Sequence, residues 1–139
     1  MSAPMPTGAD IVRHWLNTSP FVGYLSIELV ALEPGRAALR LPYDQTVTTI
    51  GTVVHGGAIA TLMDSAGAAA AWSDAEVPAN IRGTTVTLTI SYLAAADDED
   101  VLAIARVLSR GRNLVYLDIE ATTASGKAVA KGLATYKIG

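Results

Sequence analysis

The chain has 139 residues with no cysteine, one phenylalanine and two histidines, and only 17% of its residues carry charge. Without cysteine there is no disulfide, no thiolate metal site and no thiol nucleophile, a composition that suits a reducing, cytoplasmic compartment. His14 and His55 are the only histidines and no HxxH or HExxH spacing occurs, so no metal is expected. The nucleophile elbow G-x-S-x-G and the phosphate loop G-x-x-x-x-G-K-[ST] are missing too, which sets aside serine hydrolysis and phosphoryl transfer. A net charge of -3, a pI of about 5.2 and the lack of a basic stripe argue against nucleic acid as a partner. The opening residues, MSAPMPTGAD, show no basic stretch followed by an apolar run, so no targeting segment is expected there. No repeat, linker or low-complexity tract interrupts the chain, and its length fits one domain over residues 1–139.

Half of the residues are hydrophobic. The densest run, VVHGGAIATLMDSAGAAAAW, spans Val53 to Trp72 and raises the question of a membrane span. It is mostly alanine and glycine and carries Asp64, whereas a spanning helix needs about 20 strongly apolar residues. A buried helix is expected instead, wrapped by a sheet and starting just after His55. Upstream, Thr7 to Ser19 has helical spacing, with Ile11, Val12, Trp15 and Leu16 on one side and Pro20 as a stop. Val22 to Leu32 and Arg36 to Leu41 read as a hairpin around Glu33-Pro34-Gly35-Arg36, and Pro42 to Thr49 as loop.

Downstream, Thr84 to Tyr92 alternates, with Val86, Leu88, Ile90 and Tyr92 on an apolar face and Thr85, Thr87, Thr89 and Ser91 on a polar one. Val101 to Ser109, Leu114 to Thr122 and Lys127 to Ile138 then form a meander. The expected architecture is α+β, a curved antiparallel sheet of about six strands around one long central helix.

The single carboxylate in the helix needs an explanation, because burying an unpaired charge is costly. Asp64 has small same-face neighbours, Gly57, Ala60, Thr61, Gly67, Ala68 and Ala71, so a groove beside it is expected. At His55-Gly56-Gly57 the free N–H groups and positive dipole of the helix start suit a carbonyl oxygen or an oxyanion. A structural carboxylate hydrogen-bonded across a subunit interface remains an alternative for Asp64.

Gly51-Thr52-Val53-Val54-His55-Gly56-Gly57, with Asp64 nine residues after the histidine, resembles the motif of hotdog-fold acyl-CoA thioesterases of the PaaI-like, phenylacetate-pathway branch. The resemblance extends to the order of elements and to Tyr92 at the end of the strand after the helix. It implies an acyl-CoA substrate, homodimers that often pair into tetramers, active sites between subunits, and no cofactor beyond the coenzyme A of the substrate.

Carried over, Gly56 resembles the glycine whose N–H polarises the thioester carbonyl, and Asp64 the general base or nucleophile. Thr85 matches a Ser or Thr that a partner subunit brings to the attacking water, although the residues alone allow Thr84 equally. His55 matches a histidine bordering the thioester. Gly57, Thr48, Thr49, Arg82, Arg110 and Arg112 are the candidate substrate-binding residues, the arginines for the coenzyme A phosphates. The chain departs from the pattern just before the motif, where Thr48-Thr49-Ile50 stands in place of an asparagine. The implied activity is hydrolysis of an aromatic or medium-chain acyl-CoA. Two other expectations stand beside it: a non-catalytic acyl-CoA-binding domain, and a hydratase or dehydratase of the same fold.

Overall fold

A computed structural model describes residues 4–139. Helix α1 (Gly8–Thr18) begins with a capping box, in which the Thr7 hydroxyl accepts from the Asp10 amide and the Asp10 carboxylate accepts from the Thr7 amide. Its apolar side packs inward through Val12, with Ile11, Trp15 and Leu16 partly covered. Pro20 stops this helix as expected, but it also opens a short second one, α2 (Pro20–Tyr24). Proline at a first helical position has its φ already set and no N–H to lose, so Val22 is helical and β1 (Glu28–Glu33) starts later than expected.

Strand β2 (Arg36–Leu41) completes the hairpin, with Gly35 at φ +76° in its turn. The expected loop is partly ordered: a 3-10 turn at Gln45–Val47 leads into β3 (Thr48–Ile50), which pairs with β4 (Val53–Val54). Then come α3 (Gly56–Ser73), β5 (Gly83–Tyr92), β6 (Val101–Arg110), β7 (Leu114–Thr123) and β8 (Ala128–Ile138).

The main sheet has six antiparallel strands in the order β1-β2-β6-β7-β8-β5, leaving β5 at one edge. It curves around α3, which buries Leu62, Met63, Ala66, Ala69 and Ala70 against it. Small helix residues permit a close approach: a Cβ on Gly67 would stand 3.1 Å from Ile119 Cδ1. At the far end of α3, Gly8 lies so near the Trp72 carbonyl that no side chain fits, which fixes the start of α1 over the end of the helix. Among the described residues no helix is long and apolar enough to cross a membrane.

The alternation in β5 is broken at one point, which corrects the reading of its faces. Leu88 and Ile90 turn toward the core, but Val86 is 52% exposed. Thr85 pairs with Tyr136 and Thr87 with Thr135, so Val86 is an extra residue without its own partner, a β-bulge. A bulge reverses the phase of the strand before it. Thr85, which plain alternation puts on the polar face, therefore turns toward α3.

Candidate active site

Asp64 lies in the third turn of α3 and is half-buried. The bulge brings the Thr85 hydroxyl to it, donating to Asp64 Oδ1 at 2.7 Å. Among the described residues the other carboxylate oxygen has no donor. Asp64 borders a cavity of about 340 Å³ whose apolar walls include Ile11, Val12 and Trp15 of α1 with Trp72, Ile81 and Tyr136. At the far wall the Trp72 indole N–H donates to the Tyr136 hydroxyl at 3.0 Å. Burial pushes the Tyr136 phenol above its ordinary range; the bond from Trp72 works against this, and the charge of Asp64 adds to it.

The first turn of α3 resolves into assigned and free amides. Ala58 and Ile59 donate to the His55 carbonyl at 3.0 and 3.2 Å. Gly57 donates to His55 Nδ1 at 2.7 Å, so the histidine ring is the N-cap. Glycine at position 57 leaves room for the ring, which would have to shift for a Cβ there, 2.9 Å from that nitrogen. This corrects the placing of Gly57 among groups free to bind substrate: its N–H is occupied. Among the described residues only Gly56 keeps an N–H without an acceptor in this turn. Tyr92 closes over it, donating its hydroxyl to the Gly56 carbonyl at 2.7 Å. Because Nδ1 accepts, neutral His55 carries its hydrogen on Nε2 and offers a donor to the outside.

Gly56 and Asp64 are eight residues apart on one helix, which at 1.5 Å per residue is roughly 12 Å. One carbonyl cannot touch both in a single chain. Thr85, by contrast, belongs with Asp64 in the same chain, so any partner that brings one of them to a neighbouring Gly56 brings both.

The other candidates separate. Thr48 pairs with Val54 at the entry to α3 and donates its hydroxyl to the Gln45 carbonyl at 2.8 Å, and exposed Thr49 follows it. Both lie nearer the Gly56 end than the Asp64 cavity. Arg110 does not serve as a free cation: it is tied to Asp74 at 2.5 Å and to the Ala71 carbonyl at 2.9 Å, clamping the end of α3 to β6. Arg82 and Arg112 are exposed and make no ion pair among the described residues. Lys137, not singled out from sequence, joins them: it lines one hollow with Arg82 beside Gly83 and Thr84, and an adjoining one with Arg112. Among the described residues no three acidic or histidine side chains come together as a metal-holding group.

Residues 51–130 match the model of the thioesterase superfamily. A crystal structure of a thioesterase family protein from Silicibacter pomeroyi superposes with a TM-score of 0.87 at 30% identity, covering 94% of this chain and 97% of that one. Human acyl-coenzyme A thioesterase 13 is 30% identical over 116 residues, 81% of this chain and 80% of its own. A putative esterase from Saccharolobus solfataricus is 29% identical over 127 residues, 91% and 83% of the two chains. The resemblance read from His55-Gly56-Gly57 and Asp64 is borne out at the level of family and fold: the chain belongs to the thioesterase superfamily and has its hotdog architecture.

Proposed function

We propose that this thioester hydrolase cleaves an aromatic or medium-chain acyl-CoA at a site shared by two copies of the chain, with Asp64 of one copy facing Gly56 of the other. The observation that carries the reading is the Asp64–Thr85 pair, with one carboxylate oxygen held by the threonine and Asp64 lining a largely apolar cavity. In this scheme the acyl group fills that cavity, and the thioester oxygen takes the free Gly56 N–H at the positive end of the helix. Asp64 accepts a proton from water as the oxygen attacks the carbonyl carbon. The tetrahedral intermediate collapses with cleavage of the C–S bond, and the proton passes to the departing thiolate. The products are the free acid and coenzyme A.

His55 Nε2–H faces outward beside Gly56, placed to donate to the sulfur side of the thioester. Arg82, Arg112 and Lys137 supply cations for the coenzyme A phosphates, and Thr48 and Thr49 flank the entry to the helix. No metal or redox cofactor has a step in this chemistry. The rise of the helix between Gly56 and Asp64 supports a homodimer as the minimal unit, with pairing into tetramers as the further expectation. The composition without cysteine supports a cytoplasmic setting. A second reading, a non-catalytic acyl-CoA-binding domain, is favoured by Thr48-Thr49-Ile50, which offers no amide side chain where the pattern has asparagine.

The test is release of free thiol from aromatic and aliphatic acyl-CoAs by wild type and Asp64→Asn. Turnover that falls by about a hundredfold or more in the variant, the scale of a positioned base, supports the hydrolase scheme. Binding without turnover on every acyl-CoA moves the assignment to the binding domain.

A further inference from the structure

The far wall of the Asp64 cavity holds two aromatic side chains whose polar atoms meet. The Trp72 indole N–H can only donate, so in the 3.0 Å bond the Tyr136 oxygen is the acceptor and the phenol hydrogen is left over. No acceptor among the described residues takes that hydrogen. Gly83 lies against this hydroxyl, closer than any side chain could, and Gly83 itself lines the cavity. Tyr136 and Gly83 both line the cavity, which places this hydroxyl beside it, next to the apolar side chain of Ile81. Tyr136 is only 8% exposed, and its burial keeps the phenol protonated as a donor.

We propose that Tyr136 is a specificity-determining residue whose hydroxyl donates to an acceptor oxygen at the far end of the acyl group, with Trp72 as the positioning residue that aims it. The inference rests on the acyl group occupying this cavity. A hydrocarbon acyl chain would strip water from the phenol O–H and return nothing. An oxygen at the right depth replaces that water with a direct bond. The asymmetry between a satisfied and an unsatisfied buried donor is the source of selectivity, since hydrocarbon contacts are the same in both cases.

The experiment uses S-alkyl coenzyme A analogues, in which a methylene replaces the thioester carbonyl so that binding is read without turnover. A keto oxygen is walked along the alkyl chain, and each compound is compared by calorimetry with its methylene counterpart. At one depth, wild type should bind the keto compound about five- to tenfold tighter, the scale of one neutral hydrogen bond. Tyr136→Phe should bind the two equally, the hydrocarbon gaining the affinity that burying the unpaired phenol donor costs it in wild type. Because that variant leaves the Trp72 N–H without its acceptor, the Trp72→Phe/Tyr136→Phe double variant repeats the test with neither polar atom present. Equal affinities at every depth in wild type, a preference that survives Tyr136→Phe, or no binding of any analogue overturns the proposal. Selectivity without thiol release from true acyl-CoAs would instead remove the hydrolase scheme and leave this inference standing.

Discussion

Gly83→Ala is a substitution for which the general rule and this structure predict opposite signs. Glycine inside a strand costs about 0.5 to 1 kcal/mol relative to alanine, so the exchange would ordinarily stabilise. Here the new methyl would collide with the Tyr136 hydroxyl and stand 2.8 Å from ring atoms Cε1 and Cζ, well inside contact. The ring is packed against the core and cannot swing freely. Either Tyr136 moves and breaks its bond from Trp72, or the first residues of β5 lift from β8, where Gly83 pairs with Ile138. Overpacking costs about 1 to 3 kcal/mol, and an indole N–H left buried and unpaired costs a similar amount. After the intrinsic gain of alanine, a net loss of about 1 to 5 kcal/mol is expected. For a chain of this length that is a fall in Tm of about 3 to 20 °C, read by calorimetry. Tyr136→Phe removes the colliding oxygen, so the double variant should recover at least about 1 kcal/mol relative to additivity. A Gly83→Ala protein within about 0.5 kcal/mol of wild type, or losses that simply add, would refute the account of this wall.

At the helix start, cap and donor can be separated. His55→Asn keeps a capping side chain and should hold stability within about 0.5 kcal/mol while lowering kcat, whereas His55→Ala should also lose about 1 kcal/mol in denaturant melts. Equal kcat in wild type and His55→Asn would remove the Nε2–H donor from the scheme. Arg82→Ala and Lys137→Ala should raise KM for acyl-CoA in a salt-dependent way and leave hydrolysis of the matching acyl-pantetheine unchanged; an equal effect on both substrates would refute a phosphate role. In α1, the hydrogen bonds from the Thr7 amide and hydroxyl hold the Asp10 carboxyl below its ordinary 3.8. A lowered folded value means that the cap contributes fully above pH 3.8 and is lost as pH falls below it through the folded value. Trp15 fluorescence should therefore report loosening of α1 in that acid range, and Asp10→Asn should abolish the difference between acid and neutral pH. A wild-type acid transition unchanged in Asp10→Asn would place the sensitivity elsewhere.

Much of the site was legible because its parts are local. The run from Val53 to Trp72, mostly apolar and with Asp64 as its single carboxylate, specifies a buried helix whose cap lies at His55. What escaped the sequence depends on pairing between distant segments. The Val86 bulge exists because β8 places Tyr136 and Thr135 opposite Thr85 and Thr87, and nothing within β5 announces it. Arg110 is a candidate for the coenzyme A phosphates by resemblance, and the partner that occupies it, Asp74, lies 36 residues earlier. Lys137 and Tyr136 sit on an ordinary alternating strand and gain their roles only from the hollows beside β5. The helical start at Pro20 was hidden by a residue type that both ends and begins helices.

The two free edges of the sheet are not alike. β1 is six residues long, loses register between Leu29 and Ala31, and is flanked by Glu28 and Glu33, each paired to an arginine of β2. β5 has ten residues and runs regularly from Thr87 to Tyr92 beyond its bulge. A strand seeking backbone partners finds a broken, charged rim on one side and an unbroken row of N–H and C=O groups on the other. Association through the second rim uses it up on both copies, and the rims left outside are both of the first kind. Growth is then self-terminating. The asymmetry would let the chain carry an open edge at high concentration without building a fibre.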